Sequence, residues 1–277
     1  MSTLKRLVKH RMALVGMVVI LGFLVVAAFA PQLSPRDPLR FSLANKLKPP
    51  SAQFPLGTDE LGRDLLSRIL HGTRVSLMMA VVSVAIGLVI GTPIGAVSGF
   101  YSGAADILVQ RLVDVLMAFP GILLAIMVVA VLGPGLWNAM LAVGISFVPT
   151  YVRVVRSSVL EIREREFVEA ARAVGTGNLT IVVRHILPNC LAPLIVLSTL
   201  QMASAILWAS GLGYLGLGAQ PPTPEWGTML GRAQEYVRSA WHYATFPGVA
   251  IALAVLGFNL LGDGLRDALD PRLRGRL

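Results

Sequence analysis

Gly211-Leu212-Gly213-Tyr214-Leu215-Gly216 has the G-x-G-x-x-G spacing. Between a strand and a helix, that spacing brings backbone amides up to a pyrophosphate. Here it closes an apolar helical run with no strand before it, so it does not predict dinucleotide binding. No G-x-x-x-x-G-K-[ST] occurs, so no P-loop is expected and any ATP must be bound by another polypeptide. His10, His71, His185 and His242 are scattered, and the one cysteine is Cys190. They form no metal set at helical spacing, and a lone cysteine makes no intrachain disulfide. Cys190 reads as a small apolar helix residue. No nucleophile, base and orienting group can be placed together, which leaves a membrane enzyme without a site. The expectation is a chain with no catalytic residue, no metal and no cofactor of its own.

The segment Glu169 to Pro188, EAARAVGTGNLTIVVRHILP, is a polar island in an apolar sequence. From Glu161 to Val174 it reads as a helix, with Phe167, Ala170, Ala171 and Val174 recurring on one apolar face. Glu166, Glu169 and Arg172 mark the other side. Gly175 and Gly177 end that helix, and Asn178 can cap a second one beginning near Leu179. The second helix holds Ile181, Val182, Ile186 and Leu187 and meets Pro188 at the membrane. Two readings follow from the residues alone. The hairpin can dock in a groove on a soluble partner and transmit motion, or it can rest on lipid headgroups as an amphipathic helix.

The elements that position this island are membrane helices. The chain has 277 residues, 55% hydrophobic and 14% charged, with net charge +9. Soluble domains carry about 25% charged residues. The basic residues lack a basic domain with interleaved aromatics, which excludes nucleic acid as a partner. Apolar spans are expected at Met12 to Ala30, Val75 to Ala105, and Cys190 to about Gly211, with a last one at Trp241 to Gly262. Val115 to Val152 is uncharged over a length too great for one crossing, and Gly133-Pro134-Gly135 divides it into a hairpin of two. Met12 to Ala30 follows Lys5, Arg6, Lys9 and Arg11 and ends in Ala28-Phe29-Ala30, like a signal peptide. Its spanning length and Pro31 favour a retained helix. Six spans put both termini on one side. The basic tail makes that side cytoplasmic, and the same count places Glu169 there. Arg153, Arg156, Arg163, Arg165, Arg172 and Arg184 agree, as do C-terminal Arg266, Arg272, Arg274 and Arg276. The external segment is less clean, since Arg36, Arg40, Lys46, Lys48, Arg63, Arg68 and Arg74 lie in it.

Within the second span, Gly87, Gly91 and Gly95 recur every fourth residue on one stripe, followed by Ala96 and Gly99. Such a stripe lets another helix approach closely, from this chain or from a partner subunit. Pro93 should kink the helix nearby. No acid lies at mid-span. Asp106 and Asp114 fall near the cytoplasmic start of the third span, with Arg111 set to pair with Asp114. A secondary carrier independent of ATPase subunits is the alternative reading. The missing mid-membrane ionisable groups weaken it. The Gly213 to Ser239 loop is either a turn-rich cap or a contact for outside partners, with Glu225 and Trp226 as candidates.

Glu169-Ala170-Ala171, Gly175 and Ile186-Leu187-Pro188 resemble the EAA loop of bacterial ABC importer permeases. Further stretches resemble the dipeptide/oligopeptide/nickel branch of that family. They are Leu56-Gly57-Thr58-Asp59-Glu60-Leu61-Gly62-Arg63-Asp64, Phe119-Pro120 with Leu132-Gly133-Pro134-Gly135, Pro221-Pro222-Thr223-Pro224-Glu225-Trp226-Gly227, and Phe258 to Asp267 with Asp270-Pro271-Arg272. The resemblance implies an all-α membrane protein of six transmembrane helices with the type I ABC importer permease fold, in the bacterial plasma (inner) membrane. Residues 1–73 would form the tail, first helix and external segment. Residues 74–277 would form the core permease domain, with the coupling loop at about 158–188. It implies a second homologous permease, two ATP-binding subunits using ATP and Mg, an extracytoplasmic substrate-binding protein, and lipid around the helices. Glu169, Ala170, Ala171, Gly175, Ile186, Leu187 and Pro188 would then couple to the ATPase. The transported solute would be a di- or oligopeptide or a related small molecule.

Overall fold

The computed structural model describes residues 11–269. The expected charges at Lys5, Arg6, Lys9, Arg272, Arg274 and Arg276, and Asp270-Pro271, lie outside the described residues. The described elements are helical: α1 Arg11–Leu33, α2 Leu65–Tyr101, α3 Gly103–Met117, α4 Gly121–Leu132 and α5 Leu136–Ile162. Then come α6 Glu166–Ala173, α7 Asn178–Tyr214, α8 Trp226–Ala233 and α9 Trp241–Leu269. Short 3₁₀ turns sit at Leu43–Asn45 and Gln234–Tyr236.

Five of these helices, α1, α2, α5, α7 and α9, are long and apolar enough to cross a bilayer. The third expected span is a bent pair, α3 and α4, meeting at 92°. Counted as one crossing, the pair gives six spans. The 12 residues of α4 rise only about 18 Å, well short of a ~30 Å hydrocarbon core. The uninterrupted third span is therefore corrected to a broken one. The break falls at Ala118–Pro120, where Pro120 precedes the first turn of α4 and cannot continue α3.

Other boundaries also move. α2 starts at Leu65, ten residues before the expected Val75, because its first turns carry Arg68, His71 and Arg74. The Asp64 carboxylate caps it, accepting from the Ser67 amide at 2.8 Å and the Ser67 hydroxyl at 2.6 Å. α7 starts at Asn178 and runs through Pro188 rather than stopping there. The helix widens to a π segment at Ile181–Ile186 and tightens to 3₁₀ at Leu187–Cys190. That change of register accommodates the proline, and the Asn189 side chain donates to the His185 carbonyl at 2.6 Å.

The core is built on α2 and α5. A Cβ on Gly87 would lie 2.8 Å from Cβ of Phe147, on Gly91 2.5 Å from Cβ of Tyr151, and on Gly95 2.6 Å from the Val152 carbonyl. The stripe is thus filled by α5 of the same chain. Ser83 donates to the Met140 carbonyl at 3.0 Å across the same seam. Tyr151, fully buried, exchanges a hydrogen bond with Ser198 of α7 at 2.9 Å. α9 closes the bundle against α1 and α7. The exposed Leu14, Val18, Leu21 and Val25 of α1 present the apolar face that lipid covers in a membrane helix.

Candidate functional site

α5 runs to Ile162, so Glu161 belongs to the membrane helix and not to the hairpin. The hairpin's first helix is α6, Glu166–Ala173. It ends in a Schellman motif. Thr176 N–H donates to the Ala171 carbonyl at 3.0 Å and Gly175 N–H to Arg172 at 2.9 Å. Gly175 sits at φ +81°, a conformation costly for any residue with a Cβ. The chain then turns into α7, whose first helical residue is Asn178. Gly177 holds the cap position, and the Asn178 side chain makes no capping bond.

The faces differ from the expected pattern. Val168 and Ala171 are the buried pair of α6. Phe167 (45% exposed), Ala170 and Val174 (81%) face outward. The periodicity marks a helix, and of the apolar face it groups only Ala171 is buried. Val168 packs in the same core as Ile181 and Ile186 of α7, both fully buried. The exposed residues Glu169, Ala170, Val174, Gly175 and Leu179 (77%) leave a tip with apolar side chains in the open. Among the expected coupling residues, Ala171 and Ile186 are buried, Leu187 is half-buried and Pro188 is exposed.

Three arginines of α5 and its C-terminal cap hold the cytoplasmic ends together. Arg156 places Nε and Nη2 on the two oxygens of Asp106, each at 2.6 Å. Ser98 donates to the same carboxylate, and Gln110 donates to Ser98 at 3.1 Å. Arg153 pairs with Asp114 at 2.5 Å. The expected Arg111–Asp114 pair is replaced by this one, with Asp114 of α3 reaching across to α5 rather than to its own helix. Arg163 donates to the Gly99 carbonyl at 2.9 Å and the Ser102 hydroxyl at 2.5 Å. From α6, Arg172 lies over the Phe100 ring at 5.5 Å. Sequence reading counted these arginines as topology signals and missed their partners. The three-residue spacing of Arg153 and Arg156 on α5, with Arg163 seven residues on, was the available clue.

The opposite end of the bundle is a second polar assembly. Arg63 reaches Asp59 at 2.6 Å and Glu60 at 3.1 Å, and Arg68 reaches Asp59 at 3.3 Å. Glu60 also accepts from Arg232 of α8 at 3.1 Å and from the Tyr243 hydroxyl of α9. Burial alone would raise the Glu60 carboxyl. The donors from Tyr243, its own backbone and Arg232, with the charge of Arg63, outweigh it and hold the group below the usual carboxylate range. These partnerships also explain why Arg63 and Arg68 sit on the external side. Both are almost fully buried against acids, not free to obey a loop-charge rule.

Glu225 and Trp226 are fully buried. That removes them as outward contacts, which the Gly- and Pro-rich sequence around them could not show. Glu225 caps α8, accepting from the amides of Gly227 and Thr228 at 2.8 Å each. Complete burial pushes its carboxyl up against the pull of those donors. Trp226 tilts against Phe23 of α1, with centroids 5.6 Å apart, and donates to the Ile69 carbonyl at 3.2 Å. The glycines of the G-x-G-x-x-G segment have structural work. Gly213 lets the α8 cap approach α7, and Gly216 at φ +77° ends α7 with Leu217 N–H on the Leu212 carbonyl at 2.8 Å.

Comparison with known proteins converges on one family. Residues 91–275 match the binding-protein-dependent transport system inner membrane component family, and residues 2–50 match the N-terminal TM domain of oligopeptide transport permease C. The dipeptide transport system permease protein DppC of Alkalihalophilus pseudofirmus is 48% identical over 270 residues, 98% of this chain and 89% of that protein. The di/tripeptide transport system permease protein DppC of Pseudomonas aeruginosa is 49% identical over 268 residues, 95% and 88% of the two chains. The glutathione transport system permease protein GsiD of Escherichia coli is 47% identical over 272 residues, 98% and 90%. A solved inward-facing MetNI methionine ABC transporter chain shares the fold, with TM-score 0.59 and 22% identity over 73% of this chain and 96% of that one. The helices, the cytoplasmic hairpin and these likenesses together show that the chain belongs to the inner membrane components of binding-protein-dependent transport systems, as a multi-pass ABC permease subunit that is not itself a catalyst.

Proposed function

We propose that this chain forms half of the translocation pore of an ATP-driven importer of di- or oligopeptides or a related small solute such as glutathione. A second homologous permease supplies the other half. Two ATP-binding subunits, which use ATP and Mg, dock on the hairpin through Glu169, Ala170, Ala171, Gly175, Ile186, Leu187 and Pro188. Of these, Glu169, Ala170 and Gly175 offer the contact surface. Ala171, Ile186, Leu187 and Pro188 set the hairpin's shape and its join to the membrane helix. An extracytoplasmic binding protein delivers the solute from outside, and lipid surrounds the assembly. Gly87, Gly91 and Gly95 pack α2 on α5 so that the bundle moves as a unit.

The observation that carries this reading is the exposed tip, with Val174 and Leu179 more than three-quarters accessible on either side of Gly175. A rigid turn with open apolar side chains fits a protein groove. The substrate class rests on what the DppC and GsiD relatives are named for.

The test is uptake of labelled dialanine into proteoliposomes holding the complex and its binding protein. The proposal expects uptake only when ATP and both ATP-binding subunits are present. Uptake by the permease pair alone, driven by an ion gradient, would establish the secondary carrier instead.

A further inference from the structure

The broken third span raises a mechanical question. α4 is too short to cross by itself and is joined at 92° to α3, which carries exposed Ile107, Leu108, Leu112 and Val115 on one side. On its other side, α3 is fastened to α5 at two points. Asp106 takes both hydrogen bonds of the Arg156 guanidinium at 2.6 Å, and Asp114 takes Arg153 at 2.5 Å. The elbow between α2 and α3 is fastened as well, by Arg163 on the Gly99 carbonyl and Ser102 hydroxyl and by Arg172 of α6 over Phe100.

We propose that Asp106 is a positioning residue for transport: its clamp on Arg156 transmits displacement of the α6 hairpin through α3 to the half-span α4. The inference rests on the coupling reading of the hairpin given above. Its logic is geometric. α6 continues from α5 through the three residues after Ile162, so a push on α6 moves the end of α5 that bears Arg153, Arg156 and Arg163. A bidentate guanidinium–carboxylate pair fixes both distance and orientation, unlike a single contact between flexible side chains. Asp106 is buried and also accepts from Ser98 of α2, so it ties three helices at one carboxylate. α3 therefore follows α5, and α4, joined to α3 through Ala118–Pro120, is re-aimed. Without the clamp, α3 keeps only the solvent-exposed single contact of Arg153 on Asp114, which holds little, and it can slide on its apolar face while α5 moves. A transmission claim requires that both ends respond and that breaking the link separates them.

Two spin-labelled positions separate the ends: Val174→Cys on the hairpin (81% exposed) and Val131→Cys at the far end of α4 (86% exposed). Each is paired with a label at Leu253→Cys on α9. The full complex with its partner permease and ATP-binding subunits is measured with and without AMP-PNP and Mg. The expected result is that nucleotide shifts both distances in the otherwise unaltered complex. In Asp106→Asn the Val174 shift stays and the Val131 shift disappears, with transport per ATP hydrolysed falling about tenfold, within the usual range of coupling between sites. The exchanged pair Asp106→Arg with Arg156→Asp restores part of the Val131 shift. Arg156→Lys keeps the charge and loses the fork, so it carries the same prediction if Asp106→Asn does not assemble. A normal Val131 shift in the broken-clamp variants overturns the inference and leaves the coupling reading standing. A hairpin label that does not respond to nucleotide in the unaltered complex overturns the coupling reading, and the inference with it.

Discussion

Gly91 and Tyr151 face each other so closely that a Cβ on the glycine would lie 2.5 Å from Cβ of the tyrosine and 3.0 Å from the Val148 carbonyl. Neither obstacle is the free end of a side chain, so even an alanine must push backbone apart. Gly91→Ala is expected to destabilise the folded protein in detergent by about 1–3 kcal/mol, the usual cost of overpacking. Gly22, where an added Cβ meets nothing within 4 Å, is the matched control. Gly22→Ala should stay within about 0.5 kcal/mol of the parent. Thermal unfolding of the two variants side by side checks the pair.

Glu60 joins the external segment to α8 and α9 through Arg232 and Tyr243. Its carboxyl is held below its ordinary value in the folded protein. The folded state therefore binds that proton less readily than the unfolded chain. The stabilisation is complete above the unfolded carboxylate value of about 4.3 and is lost as pH falls through the lower folded value. Glu60→Gln should cost ~1–3 kcal/mol at neutral pH, where it removes the charged acceptor. The variant should also lose less stability than the parent on acidification. Melting temperature measured from pH 7 down to pH 3 reads both effects, and parallel curves would refute the linkage.

Glu225 is a buried helix cap whose carboxylate serves two amides and the Thr228 hydroxyl at 3.0 Å. Glu225→Ala leaves the Gly227 and Thr228 amides without that acceptor, while the Thr228 hydroxyl keeps the Ala219 carbonyl, and should cost about 2 kcal/mol or more. Glu225→Gln keeps one acceptor oxygen and should cost less. If Glu225 instead served an outside partner, both variants would melt like the parent and fail only in transport.

The helical class, the apolar spans at α1, α2, α7 and α9, and the Gly175 turn were legible because each rests on local composition. An uncharged run must be buried or in lipid, and a glycine at a helix end needs no knowledge of the rest of the chain. What sequence alone could not supply depends on direction in space. Val115 to Val152 is uncharged whether α3 and α4 are collinear or bent, so only Pro120 hinted at the break. The inward face of α6 could not be chosen between Val168 and Phe167 without knowing where α7 returns. Asp114 pairs with Arg153 of α5 rather than with Arg111, three residues away on its own helix. Arg63 and Arg68 have Asp59 and Glu60 near them in the sequence, but only the fold turns that proximity into buried ion pairs. Glu225 and Trp226 looked like surface residues of a turn-rich loop, although long-range packing buries them.

Gly175 adopts φ +81° and donates its N–H to Arg172, both of which proline forbids. The most direct measurement of the coupling account is therefore ATP-driven uptake of labelled dialanine by complexes carrying Gly175→Pro or Glu169→Lys, with membrane insertion checked in parallel. Insertion should be unchanged in both variants. Uptake should fall at least about tenfold, the scale of a lost coupling between sites. Uptake at the parent rate with either variant correctly inserted would contradict the account.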